Sequence, residues 1–364
     1  MAVRFRKRLL ARESYEACSV FDVNNDGIPD IVSGAFWYEG PDFIRRHKIC
    51  DVMPVNEYFD DFSDFPLDVD GDGWLDIVTG GWWGETLRWR KNSGRSETPW
   101  DTYDIDTCGN IETIRYHDID GCGVPEVFPN TPGGPTRAYK LITDAHGDGT
   151  GRFQKWILHP SPSGHGLGFG DLNGDGRTDV ILAGGWLEQP AVHPEQTPWQ
   201  FHPEFNLGSA SVPILAHDVN RDGYMDLIVG HAHDYGLFWM EQRVGEGDHL
   251  ERTWIPHSID PSVSQFHDLQ LADIDRDGEL ELITGKRYRA HNDGDPGAHD
   301  PIGLFYYKIG DGQFEKYVID WGDPAVASGA GIYFWLHDLT GNGYPDVVAP
   351  GKEGLYLFEN LGVS

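Results

Sequence analysis

Short apolar runs alternate with acidic, glycine-bearing stretches along the whole chain. Examples are "DIVSGA" from Asp30, "DIVTGG" from Asp76 and "DVILAGG" from Asp179. Runs this short, rich in Val and Ile and bounded by turn residues, read as strands and not as helices. Ahead of each stands the pattern D-x-[DN]-x-D-G-x-x-[DE]. Read loosely it occurs seven times, beginning at Asp22, Asp68, Asp118, Asp171, Asp218, Asp273 and Asp338, at spacings of 46 to 65 residues. A period of that size marks a repeat architecture. Each repeat predicts a strand into the acidic loop and a Val/Ile/Leu strand out of it. A third, often aromatic strand follows, as in "LRWRKN" from Leu87 or "GLFYYK" from Gly303. A fourth closes the repeat, visible from Arg45, Trp100, Phe153, Trp199, Arg252 and Phe314. That makes six fourth strands for seven repeats. The N-terminal stretch Val3 to Ala11 is expected to supply the seventh by pairing with the end of the chain. No stretch reads as a long amphipathic helix or a linker, so a single domain over residues 1–364 is expected.

The loops carry oxygen donors at alternating positions and then a glycine for the sharp turn, which suits a hard divalent cation. The last carboxylate comes at the ninth position and not the twelfth, and strands flank the loop, so the expectation is a calcium-binding β-turn. Five copies are fully armed. They offer Asp22, Asn24, Asp26 and Asp30; Asp68, Asp70, Asp72 and Asp76; Asp171, Asn173, Asp175 and Asp179; Asp218, Asn220, Asp222 and Asp226; and Asp273, Asp275, Asp277 and Glu281. The third copy has Cys122, a poor ligand for a hard cation, and the seventh has Thr340 and Asn342, so both are expected to bind weakly or not at all. The same loops also read as acidic turns held by side-chain-to-backbone hydrogen bonds.

Loop and following strand together resemble the FG-GAP/VCBS repeat, over nearly the whole chain. The resemblance implies an all-β, seven-bladed β-propeller of four-stranded antiparallel blades, closed by the N-terminal strand, and it implies little about chemistry. A length of 364 residues suits such a fold, in which each blade buries its faces on its neighbours. The net charge of −31 argues against nucleic acid or anionic membranes as partners, and no apolar run approaches a membrane span. The start of the chain is basic without an apolar core, so no signal peptide is expected. Cytoplasmic residence follows for the chain as it stands, and an exported one if a leader has been removed. The four cysteines show no metal spacing, and no bridge is indicated. The oligomeric state is not legible.

In a blade, the residue six before the loop and those five to seven after its last carboxylate lie at the end opposite the loop, near the axis. The first group is Glu16, Phe62, Glu112, His165, Val212, His267 and Ile332. Seven after the carboxylate stand Trp37, Trp83, Gly133, Trp186, His233, Tyr288 and Glu353; five after it stand His231 and Lys286. His165, His231, His233 and His267 concentrate in adjacent repeats and are candidate ligands for a further divalent metal, Zn2+, Mn2+, Ni2+ or Mg2+. Lys286 and Arg287 are candidates to stabilise developing negative charge, and Tyr288 joins His165, His233 and His267 as a candidate acid–base group. Trp83, Trp186, Glu112, Glu188 and His291 are candidate ligand-binding residues, although Trp at a repeated place equally serves packing. His117, His217 and His337, each directly before a loop, are expected to be structural.

"FHDLQLADIDRDGELELITGKR" (Phe266 to Arg287) and "SGHGLGFGDLNGDG" (Ser163 to Gly176) are similar to segments of aldos-2-ulose dehydratase propellers. That resemblance implies a metal-assisted lyase or dehydratase performing β-elimination on a keto-sugar or uronate-containing glycan, with His165 and His267 as ligands or acid–base groups. The chain has no room for the cupin domain of those enzymes, so a later isomerisation is not implied. The alternatives are a non-catalytic carbohydrate-binding propeller, a protein-interaction propeller with structural calcium, and a glycosidase built on paired carboxylates.

Overall fold

The computed structural model describes residues 2–95, 98–245 and 252–363. Regular structure is all β apart from one short 3-10 turn, Ala290–Asp293, among the described residues. The strands form antiparallel sheets of four. Five stand alone. An eight-stranded sheet is two such units joined where Leu167–Gly170 runs parallel to Ile214–His217. In chain order there are thus seven four-stranded units, each with its acidic loop between first and second strands. The first comprises Ser19–Phe21, Asp30–Ser33, Phe36–Tyr38 and Arg46–Lys48. The last comprises Trp335–His337, Asp346–Ala349 and Leu355–Val363, with Val3–Ala11 as its outermost strand, Val3 opposite Val363 and Ala11 opposite Leu355. The expected terminal pairing is therefore present. A two-stranded hairpin, Pro54–Val55 with Tyr58–Phe59, is inserted before the second unit.

The apolar run after each loop explains how the units pack. Successive side chains on a strand point to opposite faces, and both faces are buried here. Ile31 joins the core shared with the seventh unit, beside Val348 and Leu357. Its neighbour Val32 joins the core shared with the second unit, beside Ile77 and Trp100. The pairs Ile77/Val78, Val127/Phe128, Val180/Ile181, Leu227/Ile228, Leu282/Ile283 and Val347/Val348 divide in the same way between the cores on either side. Each such fully buried side chain contributes roughly 1.5–3 kcal/mol, which is why these runs lack the polar alternation of a half-exposed strand.

All seven loops share one geometry. The sixth residue is a glycine with φ between 83° and 91° (Gly27, Gly73, Gly123, Gly176, Gly223, Gly278, Gly343), a left-handed conformation that other residues adopt at a cost. The first aspartate accepts the backbone N–H groups of the fifth and sixth residues, as Asp22 does from Asp26 and Gly27. The ninth carboxylate is buried and accepts the N–H of the second residue, as Asp30 does from Val23 at 2.9 Å. The loops beginning at Asp118 and Asp338 fold in this way too, despite Cys122 and Thr340.

The loops nevertheless fall into two electrostatic classes. Opposite the ninth carboxylate, on the third strand, stand Glu39, Lys91, Lys140, Glu188, Glu241, Lys308 and Glu359 in turn. Lysine occurs where the third loop residue is aspartate (Asp70, Asp120, Asp275), and glutamate where it is Asn24, Asn173, Asn220 or Thr340. Lys91 pairs with Asp70 and with Asp72 at 2.9 Å, Lys140 with Asp120, and Lys308 with Asp275 and with Asp277 at 2.9 Å. In three loops an ammonium group therefore sits on the oxygens that a metal ion would use. Three of the glutamates serve instead as partners of fourth-strand histidines that stack on tryptophan: Glu39–His47–Trp37, Glu188–His202–Trp186 and Glu241–His257–Trp239. All four cysteines are unbridged.

Candidate metal centre

Three first strands and one turn between second and third strands bring four side chains of the opposite end to one point. Glu112 directly precedes Thr113–His117, and its backbone N–H is held by Asn130 O at 2.9 Å. His165 precedes Leu167–Gly170, and its carbonyl accepts the Ala210 N–H at 2.9 Å. His233 lies in the turn between Asp226–Gly230 and Tyr235–Val244. His267 is placed by a bulge: Phe266 pairs with Lys286 but Leu269 with Thr284, so one strand carries an extra residue. Bulges re-aim side chains. Here His267 reaches Glu112 while the next residue, Asp268, reaches Arg115 at 2.7 Å.

One ligand atom from each of Glu112, His165, His233 and His267 lies within 4.8 Å of all the others. His165 Nε2 is 3.1 Å from His233 Nε2 and 3.4 Å from Glu112 Oε1, and His267 Nε2 is 2.8 Å from Glu112 Oε1. Donors held at roughly 2.1 Å around one cation stand about 3.0–3.4 Å apart; the two contacts of His165 fall in that range, while His267 and Glu112 stand at hydrogen-bond distance. The outer partners fix the tautomers. His165 Nδ1 donates to Ala210 O at 2.7 Å, and His233 Nδ1 donates to Asp295 at 2.8 Å. Both histidines thereby turn Nε2 lone pairs toward each other, an arrangement that calls for a cation or a proton between them. His267 Nδ1 is buried without a partner.

The electrostatics favour neutral imidazoles at His267 and His233 and an anionic Glu112, while His165 is pulled the other way. Burial pushes His267 down to about 3, with Glu112 opposing only in part. Burial also lowers His233, against its bond to Asp295. For His165 burial is outweighed by Glu112, and the net shift is upward. Glu112 is held well below the usual carboxylate range by His165 and His267, against the upward push of burial. Arg287 stands 4.0 Å from Glu112 and is fixed by Glu16 at 2.9 Å.

Glu112, Arg287 and His291 open onto a cavity of about 170 Å³ whose other walls include Tyr58, Phe62, Trp82 and Trp83. Trp83 therefore lies where the sequence places it. Other residues do not join. Trp186 is fully buried and stacks on His202 at 4.1 Å, and Glu188 bonds His202 at 2.9 Å, so both belong to the packing. Trp37 is likewise buried against His47. The reason is turn length. Ser33 pairs with Phe36 and Leu182 with Gly185, so seven residues beyond the carboxylate is already third strand. Thr79 pairs with Arg88, and the longer turn leaves Trp83 at the rim. His231 is outside the cluster, its ring 4.8 Å from that of Phe238. Lys286 is fully buried, 3.3 Å from Gln265 Oε1, and burial brings it down to about 8. Tyr288 lines a separate cavity of about 450 Å³ with His299 and Glu353. The sequence reading missed Tyr58, Trp82 and Asp295. The first lies in the inserted hairpin and the last in the long insert from Gly285 to Gly303, where repeat alignment gives no guide.

The FG-GAP-like repeat is matched over residues 218–284. No curated protein matches the chain. Among solved structures the chain is similar to BBS1N, seen in complex with ARL6DN in a crystal soaked with lead: TM-score 0.52, 12% identity, 98% of this chain and 96% of that one covered. It is also similar to the Vibrio cholerae biofilm matrix protein Bap1, with TM-score 0.33, 15% identity and coverage of 87% of this chain and 43% of that one. The first likeness shows a β-propeller-like fold and nothing of chemistry.

Proposed function

We propose that the seven units are the blades of a closed β-propeller. We further propose that Glu112, His165, His233 and His267 bind one divalent transition-metal ion, which activates a keto-sugar for β-elimination. Ring closure is supported by cores shared between every consecutive pair of units, the seventh and first included. The observation that carries the function is the convergence of three imidazole Nε2 atoms and one carboxylate beside an aromatic cavity. Imidazole-rich donors favour Zn2+ or Ni2+ over Mn2+ and Mg2+. When bound there, such an ion would supply Lewis-acid polarisation of a sugar carbonyl. A base removes the proton from the adjacent carbon, the carbon–carbon double bond forms as the next carbon–oxygen bond breaks, and the departing hydroxyl takes a proton and leaves as water. His165 and His267 are ligands in this scheme, so the base is His291, which lines the cavity. Arg287 faces the developing enolate, and Trp82 and Trp83 offer flat faces to a sugar ring. At about 170 Å³ the cavity is below the roughly 300–1,000 Å³ of drug-sized sites, which favours a single sugar over a uronate-containing glycan.

The test is elemental analysis after dialysis in chelator-free buffer, followed by a keto-sugar screen for the ultraviolet absorbance of an enone. The expectation is about one transition-metal ion per chain and metal-dependent enone formation. A chain that retains only calcium and eliminates nothing is a sugar-binding scaffold, and the lyase reading falls.

Calcium in the loops is a separate proposal. Loops without the lysine, beginning at Asp22, Asp171 and Asp218, are the better sites. In those beginning at Asp68 and Asp273, Lys91 and Lys308 already neutralise the carboxylates. Burial raises Asp179 to about 7 and Asp30 and Asp226 to about 6, against two backbone N–H bonds each. An acid raised in the folded state keeps its proton where the unfolded chain has lost it, so metal-free stability falls as pH rises from about 4 to about 7. A bound cation restores the charged form. The gain in melting temperature on adding calcium should therefore grow between pH 5 and pH 8, a difference in which the opposing contribution of buried histidines cancels. A gain that is constant with pH, or absent, counts against calcium at these loops.

A further inference from the structure

We propose that Asp295 is the positioning residue of the metal centre, holding two histidines with one carboxylate; this rests on the metal-centre reading above. Asp295 Oδ2 lies 2.8 Å from His233 Nδ1 and Oδ1 lies 2.7 Å from His291 Nδ1. Its side chain is 8% exposed and that of His233 13%, so the bond to His233 is shielded from water, whereas His291 stands 62% exposed at the rim. The two imidazoles stack at 4.2 Å between centroids, with planes 23° apart. A carboxylate only accepts, so both Nδ1 atoms carry a hydrogen, and in the neutral ring each Nε2 is left with a lone pair. That of His233 points into the cluster, 3.1 Å from His165 Nε2. That of His291 has no partner among the described residues, which leaves it free to move a proton at the cavity wall. Without the carboxylate, neutral His233 could carry its hydrogen on Nε2 and present it to the metal position. The turn holding Asp295 is itself fixed, with the Ala298 N–H donating to Asp295 O at 3.2 Å and the Gly294 N–H to His291 O at 3.1 Å. The insert that interrupts the repeat pattern thus supplies the outer shell of a centre whose ligands come from the repeats.

The rival is that Asp295, His233 and His291 are ligands of a second ion, since their donor atoms also lie close together. Zinc and cobalt titrations of the full chain separate the two. Asp295→Asn should weaken binding roughly ten- to hundredfold and alter the visible cobalt spectrum, Asp295→Glu should recover part of the loss, and His291→Gln should stay within about threefold of the parent. Imidazole nitrogen NMR of the native zinc-loaded chain should show His233 and His291 protonated at Nδ1, a readout independent of whether any variant folds. Unchanged affinity and spectrum in Asp295→Asn overturn the inference and leave the metal centre standing. Two ions per native chain, one lost in His291→Gln, make Asp295 a ligand and overturn it as well. A native chain that takes up neither zinc nor cobalt refutes the metal-centre reading and the inference with it.

Discussion

Zinc and cobalt affinity should collapse in His267→Ala if the proposed centre holds, by more than the roughly hundredfold that loss of an outer partner costs, while the fold persists. His267 is fully buried, it is one of four candidate donors, and Glu112 Oε1 stands 2.8 Å from its Nε2. Truncation removes a ligand and also one of the groups that holds Glu112 ionised. The shell then has three donors, and a buried carboxylate loses a partner. The β-sheet circular dichroism should be retained, because His267 sits at a bulge at the strand's edge and not within a shared core. His165→Ala should behave alike. Any keto-sugar turnover should vanish in both variants at metal concentrations that saturate the parent. If either variant binds zinc within about threefold of the parent, these imidazoles are not ligands.

Arg287→Met lowers stability by about 3–5 kcal/mol, because it leaves Glu16 as a buried, uncompensated charge. The pair is 2.9 Å apart with both side chains under 5% exposed. Lys352, 3.6 Å from Glu16, softens the loss without replacing the two-nitrogen contact. The double variant Glu16→Gln with Arg287→Met should recover most of the deficit, since the cost lies in the unpaired charge more than in the lost attraction. Denaturant unfolding of the metal-free chains reads both values. A loss below about 1 kcal/mol in the single variant would mean that water reaches Glu16 and that the site is wetter than the geometry implies.

The repeat made the fold legible. Seven loops, the strands around them and the unpaired N-terminal stretch were enough to place the terminal pairing, because short buried strands announce themselves by Val and Ile between acidic turns. Counting six residues back from each loop picked out Glu112, His165 and His267, which the fold brings together although the first strands run from three to seven residues and His267 sits at a bulge. Counting forward failed for Trp37 and Trp186, because the next turn differs in length between units and sequence distance no longer measures position along the sheet. His231 failed for a related reason: it ends its strand and packs on Phe238, while His233, two residues on, reaches the rim. Asp295 and Tyr58 lie in insertions, outside any register the repeats could lend them.

The pairing of the third loop residue with the third-strand residue opposite its carboxylate constrains how this chain can drift. In the unit beginning at Asp218, Asn220 donates to Glu241 at 3.3 Å. Exchanging Asn220 for aspartate alone sets two anions against each other, and exchanging Glu241 for lysine alone strips His257 of its partner. Only the paired exchange lands on the arrangement already present at Asp70 with Lys91 and at Asp275 with Lys308. Divergence between the repeats should therefore move in coupled steps, with each half-step selected against. A descendant carrying one half of the exchange would be under pressure to revert or to complete it.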